Sequence, residues 1–92
     1  MEAASMRDEI LNQYPDHDFL FLDGFDEAIV GVSEVDEFYR VVYSSPRIVS
    51  LIIRGSNDKM SLDDAIDFFH FNIKHAYFGE KTPIYLEEIN IA

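Results

Sequence analysis

The chain has 92 residues, of which 18 are acidic and seven basic, for a net charge of -11, and 48% are hydrophobic. This length sets one domain as the expectation, and eight Phe and five Tyr supply the dense packing a small core needs, which excludes a disordered acidic tail. The absence of cysteine excludes disulfide staples and thiolate zinc sites, and the scattered Arg7, Arg40, Arg47, Arg54, Lys59, Lys74 and Lys81 argue against direct nucleic-acid binding.

From the N-terminal end, Ser5 with Asp8 three residues on is a variant capping signature, and Met6, Ile10, Leu11 and Tyr14 continue at helical spacing until Pro15. The apolar run Phe19-Leu20-Phe21-Leu22, closed by Asp23-Gly24, predicts a buried strand and a turn. Ala28-Ile29-Val30-Gly31-Val32 and residues 38–43 predict two more strands, joined as a hairpin through the polar residues 33–37, with Gly31 marking a bulge.

Ser45-Pro46 predicts a helix start with Ser45 as cap, and Ile48, Val49, Leu51, Ile52 and Ile53 form its apolar stripe until Gly55. β-Branching makes a strand the alternative there. Ser61 and Asp64 repeat the capping signature, and Leu62, Ala65, Ile66, Phe69, Ile73 and Ala76 recur at core spacing, with Phe68 and Phe71 widening that face. Gly79 stops this helix, and Pro83-Ile84-Tyr85-Leu86 predicts a closing strand. The expected fold is therefore α+β: about four strands in an antiparallel or mixed sheet, helices on one face, in the order α-β-β-β-α-α-β.

Met1 to Arg7 has neither a basic run leading into an apolar stretch nor a small-residue cleavage site, so no export signal is expected. The longest apolar stretch, residues 48–53, is far below the roughly 20 residues that cross a bilayer. A cytoplasmic setting is the resulting expectation.

Chemistry-bearing constellations are few. Asp63, Asp67, His70 and Lys74 share one helix side at spacings of four, three and four, and Asp63, Asp67 and His70 are the candidate metal ligands. One carboxylate–histidine pair supplies at most two ligands, and ion pairing on a solvated face accounts for the same pattern. The carboxylates Asp16, Asp18, Asp23, Asp26 and Glu27 surround Gly24, but Leu20 occupies the third ligand position of a calcium loop, so turn chemistry explains them better. No nucleophile elbow, cysteine nucleophile or Gly-rich phosphate loop is present, and neither an enzyme nor a cofactor is expected. Phe25, Tyr39, Tyr77 and Phe78 lie near turns or strand ends, where one or two exposed aromatics would act as interface anchors, with core packing the commoner role for any one of them.

The strings Tyr14-Pro15-x-His17-x-Phe19-Leu20-Phe21, residues 23–32, and Phe69-x-Phe71-Asn72 with the later Ala76-Tyr77-x-Gly79-Glu80-Lys81-Thr82-Pro83 resemble a set of small acidic bacteriophage-encoded proteins of unknown function. The resemblance runs from Tyr14 to Leu86 but leaves residues 35–59 unmatched, and it carries no activity or site residues with it. It implies a setting inside an infected host cell, where a small accessory protein acts by binding a host protein, such as a defence complex or a nucleic-acid enzyme with a basic surface. The interaction candidates are Phe25, Asp26, Glu27, Asn72, Tyr77, Glu80 and Lys81, since charged and amide side chains beside turns are the least explained by packing. Two other functions fit the same sequence: a small metal- or ligand-binding protein, and a homo-oligomeric structural subunit gaining stability by self-association.

Overall fold

Ser5 opens the first helix as expected: its Oγ accepts the Asp8 N–H at 3.1 Å, and α1 runs Met6–Gln13 to a stop at Tyr14. A computed structural model describes residues 5–89. After α1 the expected four-strand order is corrected. Residues 19–22 form no strand, and the sheet among the described residues has three strands. Their apolar side chains are used by packing and not by a ladder: Phe19, Phe21 and Leu22 lie against the core, and the Leu22 N–H donates to Tyr43 Oη at 2.7 Å. A short apolar run is equally suited to either role, because burial on two sides erases the alternation that identifies a strand.

A tight turn comes next, with Gly24 at φ +88°, a conformation that disfavours any side chain. A single 3-10 turn, Asp26–Ala28, then leads into β1 (Ile29–Val35), which pairs antiparallel with β2 (Phe38–Ser44). Ile29 pairs with Tyr43 and Gly31 with Val42, so Val30 is the extra residue of a bulge beside Gly31, as expected. The polar residues 33–37 do not form a loop. Ser33, Glu34 and Val35 continue β1, and the reversal takes two residues, Asp36 at φ 51° and Glu37 at φ 70°. Those angles are the mirror-image turn whose twist matches a hairpin.

Strand β2 is central and buries Val41 and Tyr43 completely. It passes directly into α2 (Ser45–Gly55), and this corrects the expected cap: Ser44, not Ser45, accepts the Arg47 N–H on its Oγ. Pro46 stays within the first turn, where a missing donor is harmless. The helix stop is also displaced. Gly55 is the last helical residue, while the left-handed positions are Asn57 and Asp58, with Ser56 Oγ donating to the Ile53 carbonyl at 2.7 Å.

Ser61 caps α3 (Leu62–Phe69) as expected, its Oγ accepting the Asp64 N–H. The segment does not remain α-helical to Ala76; it widens into one π-helical turn, His70–Lys74, and ends there, not at the expected Gly79 stop. After Gly79, at φ +91°, Thr82 Oγ1 accepts the Phe78 N–H and donates to the Gly79 carbonyl, and the chain enters β3 (Ile84–Leu86). Strand β3 lies parallel to β2, from Val42 opposite Ile84 to Ser44 opposite Leu86, giving a mixed sheet in the order β1-β2-β3. Phe69 and Ala65 of α3, Ile48 of α2 and Ile10 of α1 complete the core around Tyr43. No helix among the described residues is long and apolar enough to cross a membrane.

Candidate interaction surface

The candidates Phe25, Asp26 and Glu27 cluster at the 3-10 turn, and the structure gives each a scaffold partner. Phe25 is half-buried against the core. Asp26 Oδ1 accepts from Arg7 Nε and Nη2 at 3.2 and 2.9 Å, and the same guanidinium lies 4.7 Å from the Phe21 ring centroid. Glu27 pairs with Arg54 at the end of α2. The spacing of these carboxylates in sequence carries no trace of arginines 19 and 27 residues away, so their neutralisation was not legible there. Tyr39 is half-buried in a cluster of rings, 4.3 Å from the His17 ring and 5.1 Å from Tyr14.

The second group lies after α3. Asn72 is exposed, and its Nδ2 donates back to the Phe68 carbonyl one turn earlier, at 3.1 Å. Glu80 is exposed, and Lys81 Nζ sits 3.7 Å from Asp18 Oδ2. Tyr77 is 77% exposed and Phe78 50%. Two aromatics of the helix itself join them. Phe68 is 43% exposed and Phe71 77%, although helical periodicity expected both to widen the buried face. Phe71 stands two residues past the buried Phe69, about 200° around a helix, so it faces away from the core while Ile73 packs against it. Residues 68–78 thus present four aromatic side chains to water on a chain whose exposed groups nearby include Asp63, Asp64, Asp67 and Glu80.

Among the described residues no three His, Asp or Glu side chains converge closely enough to hold a metal ion, so Asp63, Asp67 and His70 do not form such a group. His70 instead has ring neighbours in Phe69 at 5.7 Å and His75 at 6.1 Å. Two guanidinium–carboxylate pairs, Arg47 with Glu88 and Arg54 with Glu27, border a hollow of about 450 Å³ along α2 and leave it balanced in formal charge.

Inside the fold, burial pushes the Tyr43 hydroxyl pKa up, against the lowering effect of its bond from Leu22. Burial, with Tyr43 nearby, pushes Tyr85 up to about 12. Tyr85 is held between a stacked Tyr43 ring and an edge-on Phe69 ring, and its Oη, like Ser45 Oγ and Arg40 Nε, is buried with no hydrogen-bond partner among the described residues. No family model matches the chain, and no curated protein or solved structure is significantly similar to it.

Proposed function

We propose that the chain is a non-enzymatic binding protein whose partner is another protein, gripped by the exposed aromatics Phe68, Phe71, Tyr77 and Phe78. The observation that carries this reading is the 77% exposure of both Phe71 and Tyr77. Large aromatics left in water are costly to solubility and dominate interfaces when covered, each contributing about 1.5–3 kcal/mol on full burial. The surrounding carboxylates and the net charge of -11 favour a partner with a basic rim around an apolar hollow, and speed the encounter with it. With the resemblance to small acidic bacteriophage proteins, the role is that of a phage accessory protein in the host cytoplasm, inhibiting a defence complex or a nucleic-acid-binding protein through its basic surface.

The test is capture from host lysate by a tagged bait, read by mass spectrometry, beside a Phe71→Ser/Tyr77→Ser bait with an unchanged melting curve. One stoichiometric protein held by the native bait and lost by the variant supports the reading. An empty native bait, or a variant that keeps the partner, overturns it. The same exposed aromatics also favour self-association as a second reading, for which sedimentation at two concentrations decides: a monomer throughout removes it.

A further inference from the structure

The π-helical turn after α3 brings two imidazoles together. In a regular α-helix, residues five apart are turned roughly 140° from one another, so His70 and His75 would lie on different sides. A π turn bonds residue i to i+5 and sets those two positions nearly one above the other. The turn spans His70–Lys74, His75 follows it directly, and the two rings stand 6.1 Å apart, centre to centre, with their planes at 36°. His70 is half-buried and His75 exposed, so the pair meets at the water boundary. Single π turns inside helices recur at functional sites.

The separation suits a shared metal ion. An imidazole nitrogen binds zinc at about 2.0–2.1 Å, so two rings holding one tetrahedral ion have centres roughly 5 Å apart, and closing by roughly 1 Å is within the swing of an exposed side chain. The field favours a cation: Glu87 lines the same cavity as His70, Asp67 stands one turn before it on α3, and the net charge of -11 outweighs the nearby Lys74. Imidazole ligands select a borderline ion such as Zn²⁺ or Cu²⁺ over Mg²⁺ and Ca²⁺, which take oxygen ligands. We propose that His70 and His75 hold one such ion through one nitrogen each. His70 thus keeps its place as a ligand, with His75 instead of Asp63 and Asp67. No three His, Asp or Glu side chains among the described residues form a metal-holding group, so water fills the remaining positions. The site is independent of the protein-binding reading and stands or falls separately from it.

The test is titration of the full chain with zinc chloride in about 0.15 M salt, followed by amide and imidazole NMR, beside calcium chloride as the probe for carboxylates. Zinc should give saturable shifts centred on residues 69–76, at one ion per chain. With half the ligands of a structural zinc site, the dissociation constant should be on the order of 10–100 µM. His70→Gln and His75→Gln should each weaken zinc at least about 10-fold. His75 is exposed, so its variant keeps the test decisive even if the half-buried His70 does not tolerate replacement. Calcium at the same concentrations should leave residues 69–76 unshifted. Zinc shifts that calcium reproduces, that spread over the acidic turns without saturating, or that persist at native affinity in His75→Gln overturn the proposal.

Discussion

Arg47 and Glu88 form a two-pronged pair, with Nε donating to Oε1 and Nη2 to Oε2, each at 3.0 Å. Ser44 Oγ also donates to Oε1, at 2.9 Å, so one carboxylate closes the first turn of α2 and ties the segment after β3 to the β2–α2 junction. An anion at a helix N-terminus is favoured by the helix dipole, and the parallel β3 is only three residues long, so this clasp supplements a short ladder. Arg47 is half exposed, which screens the pair. Glu88→Gln should therefore cost only about 1 kcal/mol in urea unfolding, with most of the difference gone in about 0.5 M salt. A loss that persists unchanged in salt would show the pair not to be the cause.

The neighbouring serines should separate sharply. Ser44 is fully buried, accepts the Arg47 N–H and donates to Glu88, so Ser44→Ala should lower stability by about 1–2 kcal/mol. Ser45 makes no such bond, and Ser45→Ala should lie within about 0.5 kcal/mol of the native chain or above it, since alanine is the better helix former. Equal losses for the two would contradict the placement of the cap at Ser44.

Much of this fold was legible where the signal is local. Ser5 and Ser61 cap their helices, Gly24 takes the left-handed backbone of its turn, and Gly31 sits at the bulge, each because a side chain or its absence acts within a few residues. Two failures are non-local. The run 19–22 reads as a strand until Tyr43 is known to take the Leu22 N–H, and Asp26 and Glu27 read as free acids until Arg7 and Arg54 are placed beside them. The exposed Phe71 is a local misreading: two residues past Phe69 is the side of the helix away from the core, whatever its apolar character. The cap at Ser44 was invisible, because Ser-Ser-Pro reads as cap and first turn whether the cap is Ser44 or Ser45.

The hairpin turn carries removable strain. Asp36 and Glu37 both have positive φ, a conformation in which glycine and asparagine are favoured and glutamate is not. Glu37→Gly should raise stability by about 0.5–1 kcal/mol, which for a domain of this size is a rise of about 3–6 °C in the thermal midpoint. An unchanged or lower midpoint would mean that Glu37 is held by contacts beyond its backbone.

Neighbouring aromatics on and after α3 should respond in opposite ways. Phe71→Ser and Tyr77→Ser remove side chains that mostly face water and should change stability by no more than about 0.5 kcal/mol. Phe69→Ala empties the core beside Ile48 and Tyr43 and should cost about 3–5 kcal/mol. If Phe71→Ser unfolded the chain, its ring would be part of the scaffold and the binding reading would lose its main support.

Tyr85 gives the alkaline limb of stability its sign. In the fold its hydroxyl is pushed up to about 12 by burial and by Tyr43, against an ordinary value of 10.0. Between those values the unfolded chain has released the proton and the folded chain has kept it, so the unfolded state binds fewer protons and stability falls as pH rises. The contribution is whole below pH 10 and is lost as pH passes through about 12. Tyr43 is shifted in the same direction and adds to the same slope. Tyr85→Phe removes one of these two groups together with a buried hydroxyl that has no partner, while keeping the ring between Tyr43 and Phe69. The variant should therefore equal or exceed the native chain in stability at about pH 7, by up to about 1 kcal/mol, and its unfolding free energy should decline less steeply above about pH 10. Urea titrations at about pH 7, 10 and 11 measure both. A native-like alkaline slope in Tyr85→Phe would assign that limb to Tyr43 alone, and a large loss at neutral pH would show that the Tyr85 hydroxyl has a partner in solution.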